Sequence, residues 1–206
     1  MKKSSVFMMI APLSAGRRPA PELLKKGAPS VCSPYVFLLI FPLLLSCAAN
    51  RNVIDHGNAR IIENVPFYPQ ETYRCGTASL STVLNYWGVS VSPEDIAAEI
   101  FSGSAKGTLN VDMTLYARNI GLEAVQYKGS IEDIRGNIGL GYPVIVMVDY
   151  GFWVYQQNHF MVVIGHDKNA VIVRSGRDRL RLIPEEKFVS AWKRTNFWTL
   201  LIKPGL

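Results

Sequence analysis

Apolar residues repeat with a helical period in the first half of the chain. After Cys75, apolar residues recur at the i, i+3, i+4, i+7 spacing of one helix face up to Trp87, and Gly88 supplies the stop. This is the clearest helix that the sequence predicts. Three further helices are predicted from Ser92 to Phe101, from Asp112 to before Gly121, and from after Ser130 to before Gly139.

The second half of the chain changes to short runs of β-branched and aromatic residues separated by turn signals. One short helix, from Pro184 to about Trp192, interrupts these runs, and only residues 166–169 separate the two middle ones, which predicts a hairpin. Helices followed by a mostly antiparallel sheet define an α+β fold. The predicted strands are residues 144–150, 159–165, 170–174 and 197–202.

The N-terminal segment has the pattern of an export signal. Residues 35–45 are apolar and uncharged, too few to span a bilayer core of about 30 Å as a helix, and basic residues precede them. Residues 44–47, which end in Cys47, resemble the lipobox of bacterial lipoproteins, whose cysteine is acylated. We therefore expect a signal peptide at 1–46, a lipid-anchored tether at 47–64 and a folded domain at 65–203. Ala48 after the cysteine favours the outer membrane, with the domain facing the periplasm.

Charge and cysteine count narrow the function. The chain has a formal charge of +6, but residues 1–46 hold six Lys and Arg against one Glu, which leaves only +1 for the remainder. We therefore expect no nucleic-acid partner. Cys32 lies in the predicted signal and Cys47 carries the predicted lipid, so Cys75 is the one thiol expected in the mature domain. A lone thiol in an oxidising compartment is either a small buried hydrophobe or a nucleophile.

Cys75 and His159 are the candidates for nucleophile and base. Cys75 lies at the start of the predicted helix, where unpaired N–H groups and the helix dipole are expected to lower the pKa of a thiol. His159 heads an apolar strand, where a polar side chain needs a partner, whereas His166 falls in the hairpin turn. A thiolate with a neighbouring histidine is the arrangement for nucleophilic catalysis.

The Cys and His segments resemble one family. The run VPFYPQETYRCGTASLSTVLNYWG, followed 84 residues after its cysteine by NHFMVVIGHD and then by VIVRSG, is similar to the double-glycine leader peptidases. These are papain-like cysteine peptidases, and the resemblance extends over residues 65–203. It implies a papain-like fold with Cys75 as nucleophile, His159 as general base and Gln70 as the donor to the oxyanion.

The third catalytic position departs from the family pattern. Members usually carry Asp or Asn at the end of the strand that follows the His strand, where this chain has Ser175. The predicted hairpin register places His159 opposite residue 175 or 176, with Asp178 close by as a substitute. A serine can hold an imidazole nitrogen, but it does not stabilise an imidazolium as a carboxylate does.

The sequence leaves three functions open. The first is a cysteine peptidase that hydrolyses a peptide or protein substrate through an acyl-enzyme on Cys75. The second is a weak or inactive peptide-binding module on the same fold, and the third is an amidase or transferase on cell-wall peptides. We expect no cofactor, metal or ATP, because neither a Cys/His cluster with ligand spacing nor a Walker loop occurs. Arg177, Arg179 and Arg181 alternate along a strand and could meet an acidic substrate, but a solvated face is the favoured interpretation.

Overall fold

The computed structural model describes residues 59–70 and 74–205. The predicted signal peptide, the lipidated Cys47 and most of the predicted tether lie outside these residues. Five helices and nine strands occur in the part of the chain that is described. The helices are α1 (Cys75–Tyr86), α2 (Pro93–Ile100), α3 (Asn110–Asn119), α4 (Ile131–Gly139) and α5 (Glu185–Lys193). The strands are β1 (Arg60–Ile61), β2 (Phe101–Ser102), β3 (Gly107–Thr108), β4 (Leu122–Lys128), β5 (Val144–Asp149), β6 (Asn158–His166), β7 (Ala170–Ser175), β8 (Asp178–Pro184) and β9 (Trp198–Pro204).

The helix boundaries follow the local signals in the sequence. Ser92 caps α2, where its side chain accepts a hydrogen bond from Asp95 N–H and the Asp95 carboxylate accepts one from Ser92 N–H. Ser130 caps α4 by accepting from Asp133 N–H. Gly88 takes a φ of +85° directly after α1, which is why a glycine ends that helix. The predicted helices are therefore confirmed.

Seven strands form one antiparallel sheet in the order β4-β9-β5-β6-β7-β8, and β1 pairs with the end of β6. The α+β fold with a mostly antiparallel sheet, and the predicted β6–β7 hairpin, are confirmed. Arg60 and Ile61 pair with His166 and Gly165, and Ile62 N–H donates to the carbonyl of Ile164. The last residues of the predicted tether thus belong to the sheet, and the domain starts before Val65.

The centre of the sheet is buried on both faces. Six consecutive residues of β6, Phe160 to Gly165, are buried, and β5 is buried at all positions except Met147. Because neighbouring residues of a strand point to opposite faces, helices cover this sheet on both sides. On α1, Leu80, Val83 and Leu84 have no solvent exposure and belong to the same core. His159 therefore stands where β6 emerges from the core.

Candidate active site

Cys75 is the first residue of α1, at the end where the helix N–H groups are unpaired. It is partly buried, and among the described residues it is the one cysteine, with no disulfide bond. Gly76 packs against β3 so tightly that a Cβ at this position would lie 2.8 Å from Thr108 Cβ. The glycine therefore allows the β2–β3 hairpin to approach the start of the helix.

His159 is the second residue of β6, and its Nε2 atom lies 2.9 Å from Ser175 Oγ. Ser175 is 1% exposed, so this hydrogen bond is shielded from water. The β6–β7 register pairs Val162 with Arg174. Continued toward His159, this register places Ser175 diagonal to the histidine. The sequence had predicted a position directly opposite the histidine, and the structure differs in this. The contact nevertheless fixes the ring and leaves Nδ1 as the nitrogen that can take a proton from the thiol.

Burial sets the protonation states of the pair. It raises the pKa of the Cys75 thiol, and the backbone N–H groups of Phe160, Gly76 and Cys75 itself offset this only in part. The expected low pKa of the thiol is thus wrong, because desolvation outweighs the helix N-terminus. Burial and then the charge of Arg181 lower the pKa of His159 to about 4. At neutral pH the site therefore holds a thiol beside a neutral imidazole.

Gln70 is fixed beside both residues by its side-chain amide. Its Oε1 atom accepts from Gly176 N–H at 2.9 Å, and its backbone N–H donates to Gly176 O at 2.8 Å. Its Nε2 atom lies 3.3 Å from Ser79 Oγ on α1 and 3.5 Å from the Phe160 carbonyl on β6. These Nε2 contacts are at the long end of the hydrogen-bond range. The amide is thus oriented firmly by its oxygen and held loosely by its nitrogen.

Asp178, the alternative third residue, lies at the start of β8 and pairs with Ser175 in the sheet. It is exposed, and within the described ranges the hydrogen bond to His159 comes from Ser175. The structure therefore places a neutral hydroxyl, and not a carboxylate, at the second nitrogen of the imidazole.

Gln70, Cys75 and His159 line one cleft with a volume of about 790 Å³. One side of it comes from residues 105–110, around the β2–β3 hairpin, and another from Gly176 and Arg177 after β7. Tyr155 and Gln157 of the loop after β5 also contribute. The residues of this hairpin could not be predicted from the sequence, because two-residue strands leave no periodic signal.

The loop after β5 is a fixed structure that displays apolar side chains. The buried Asp149 carboxylate accepts hydrogen bonds from Gly151 and Gln157 N–H at 2.7 and 2.8 Å, and it pairs with Arg194 Nε at 2.9 Å. Burial alone would raise the pKa of Asp149, but these partners hold it below its usual range. Trp153, 84% exposed and with a φ of +53°, lies at the tip of the loop and not among the residues that line the cleft.

Residues 59–70 and 74–205 contain no group of three His, Cys, Asp or Glu side chains that could hold a metal ion. None of the helices described has the length and hydropathy to cross a membrane.

A cysteine at the start of a helix, packed against an antiparallel sheet whose histidine strand faces it, defines the papain-like cysteine peptidase fold. The family model described as the Peptidase_C39 like family matches residues 62–199, and the chain belongs to this family. The predicted resemblance and fold are thereby confirmed. No match was found among curated proteins.

Solved structures agree with this assignment. A Bacillus anthracis protein described as a C39-like peptidase has 21% identity and a TM-score of 0.62, and the match covers 71% of this chain and 98% of that one. The peptidase domain of Streptococcus ComA, a bifunctional ABC transporter, has 24% identity and a TM-score of 0.57 over 68% and 99% of the two chains. A double-glycine-motif protease from an AMS/PCAT transporter, solved with its leader peptide, has 25% identity and a TM-score of 0.56 over 74% and 97%.

Proposed function

We propose that this protein is a cysteine peptidase that cleaves peptide bonds through an acyl-enzyme on Cys75. The observation that carries the proposal is that Gln70, Cys75 and His159 line one cleft while Ser175 occupies Nε2 of the histidine. This leaves the other ring nitrogen for the nucleophile. The double-glycine-motif protease with its leader peptide supports a peptide as the substrate class.

The reaction starts from the neutral pair. Cys75 Sγ attacks the peptide carbonyl carbon while its proton passes to Nδ1 of His159, and Ser175 holds Nε2. Gln70 Nε2 donates to the developing oxyanion in place of its two long contacts. The C–N bond then breaks as the imidazolium returns the proton to the leaving amine. Water, deprotonated by His159, hydrolyses the thioester and restores the thiol.

The test is hydrolysis of internally quenched peptide libraries by the full-length chain purified in detergent. Cys75→Ala should abolish hydrolysis, and Gln70→Ala should lower kcat about 10²–10³-fold, as loss of an oxyanion donor does. His159→Ala should lower it about 10²–10⁴-fold. His166→Ala is the matched control and should retain wild-type activity. Hydrolysis that persists in Cys75→Ala would refute the mechanism.

The two alternative functions give different products. A peptide-binding module would retain a peptide in both the wild type and Cys75→Ala without cleaving it. An amidase or transferase acting on cell-wall peptides would release ammonia, or join the acyl group to an added amine, instead of yielding two peptide fragments. Mass spectrometry of the products separates these outcomes from proteolysis.

We also propose that the chain is a lipoprotein anchored through Cys47, in the outer membrane and facing the periplasm. The apolar run at 35–45 and the lipobox-like residues before Cys47 support this. Metabolic labelling with an alkyne fatty acid should mark the wild type and not Cys47→Ala. Label that remains in the variant would overturn the proposal.

A further inference from the structure

The charged residues that line the cleft all have the same sign. Lys106 and Arg177 line it, and no Asp or Glu is among the described residues that do so. A third cation, Arg181 on β8, lies close enough to His159 and Tyr150 to affect the pKa values of both. Two cations therefore line the cleft, and the charge of a third acts on its histidine from β8.

Among the described residues, no carboxylate forms an ion pair with these cations. The ion pairs formed within residues 59–70 and 74–205 join other Lys and Arg residues to carboxylates, and Lys106, Arg177 and Arg181 take part in none of them. Asp178 is the exposed carboxylate that lies next to Arg177 in the chain. The chain from Cys47 onward has a net charge of only +1, so the cations at the cleft are not part of a general excess of positive charge.

His159 has the same need for a negative charge. Its Nε2 partner is the neutral Ser175, the Tyr150 ring packs against it, and the charge acting on it is that of the cationic Arg181, while Cys75 lines the same cleft. None of these stabilises the imidazolium that forms when Cys75 attacks. A carboxylate beside Arg181 would offset that cation and favour the protonated ring.

We propose that the cleft selects anionic peptides, with carboxylates of the substrate facing Arg181 beside His159 and facing Arg177 and Lys106 along the cleft. The proposal rests on the proposed peptidase function and names its substrate class. It also changes the interpretation of Arg177 and Arg181 from a solvated face to specificity-determining residues. The substrate thereby supplies the negative charge that Ser175 does not.

The test uses two internally quenched peptide libraries that are identical except that every Glu in one is Gln in the other. The full-length wild type should cleave the Glu library with a higher kcat/KM, about fivefold for each carboxylate paired at a partly exposed site, and salt should reduce the preference. Arg181→Gln and Arg177→Gln should each reduce the preference for the Glu library. Lys187→Gln, which removes an exposed cation on α5, is the matched control and should keep the wild-type preference for the Glu library.

A pH profile separates this role from a structural one. In wild type with the Glu library, the acid limb of kcat should lie at higher pH than that of kcat/KM, because kcat reports the enzyme–substrate complex. Arg181→Gln should shift the acid limb of the kcat/KM profile to higher pH for both libraries, because it removes a positive charge that disfavours the imidazolium. Coincident limbs of kcat and kcat/KM with the Glu library would overturn the proposal.

The failure of the inference is distinguishable from that of the proposed function. Equal cleavage of the Glu and Gln libraries would overturn the inference and leave the peptidase standing. If neither library is cleaved, the function fails, and tryptophan fluorescence titration of Cys75→Ala with each library still compares binding. Tighter binding of the Glu library would then support the anionic selectivity, and equal binding would refute it.

Discussion

Ser175 is the residue at which this site differs most from a triad with a carboxylate. Its hydroxyl fixes the imidazole at Nε2, 2.9 Å away, so the orienting part of the third residue's role is retained. The electrostatic part of that role, stabilisation of the imidazolium by a negative charge, is absent, and the pKa of His159 is about 4. Orientation and charge stabilisation, which one Asp usually provides together, are therefore separated in this protein.

Ser175→Asp should restore the stabilisation of the His159 imidazolium by a carboxylate. A carboxylate at Nε2 favours the imidazolium, so the pKa of His159 should rise and kcat at neutral pH should increase by at least about tenfold. Activity against pH measures both effects. Ser175→Asn is the control because it can hold Nε2 without a charge, and it should leave the acid limb of the profile in place. A Ser175→Asp variant that stays folded, by circular dichroism, with an unchanged profile would contradict this account.

That the candidate residues Cys75 and His159 share one cleft could be predicted from the sequence, but their protonation could not. Cys75 precedes an amphipathic helix and His159 heads an apolar strand, and both are visible as local patterns. The pKa of a thiol depends on how much of it the neighbouring elements bury, and that is decided by residues distant in sequence. The helix N-terminus was visible in the sequence, whereas the burial that outweighs it was not.

At the scale of elements, the contact between α1 and the β2–β3 hairpin positions Cys75. Gly76 has no side chain, and the space where its Cβ would lie is occupied by Thr108 at 2.8 Å and Phe160 at 3.4 Å. The hairpin also forms one side of the cleft. A change at this contact should therefore alter both stability and catalysis.

Gly76→Ala should destabilise the protein by about 1–3 kcal/mol, because an added methyl in a close-packed contact forces a shift of the hairpin. The free energy of unfolding from denaturant titration measures this. Gly136→Ala on α4 is the matched control, since a Cβ there meets nothing within 4 Å, and it should stabilise by roughly 0.5–1 kcal/mol. Thr108→Gly in the Gly76→Ala background should recover part of the loss. Equal effects of the two Ala variants would contradict the close contact.

The elements that the sequence failed to predict are the ones with weak patterns. β1, β2 and β3 each have two residues, too short for any period to be visible. β4 and β8 are edge strands with one buried residue each, Ala124 and Ile183, so they lack the apolar run by which β5, β6, β7 and β9 were predicted. β5 and β6, which are buried on both faces, show nearly continuous apolar runs and were predicted within a few residues.

At the scale of the whole molecule, the site lowers the stability of the fold in acid. His159 has a pKa of about 4 when folded and about 6.5 when unfolded, so the unfolded chain binds more protons between these values. The free energy of unfolding therefore rises with pH through this window. The stabilising contribution is fully present above about pH 6.5 and is lost as the pH falls toward 4. The difference corresponds to at most about 3 kcal/mol. Asp149, whose pKa is also lowered, loses its stabilising contribution from about pH 5 downward and overlaps only the acid end of this window.

His159→Gln should remove this dependence. Guanidinium unfolding of the full-length chain at pH 4.5 and 7.5 should show a smaller difference in stability for the variant than for the wild type. His166→Gln, at the other end of β6, is the matched control and should keep the wild-type difference. A wild type that is equally stable at both pH values would mean that the imidazole accepts a proton in the folded state. In that case folding would not lower the pKa of His159, and this account of the acid dependence would be wrong.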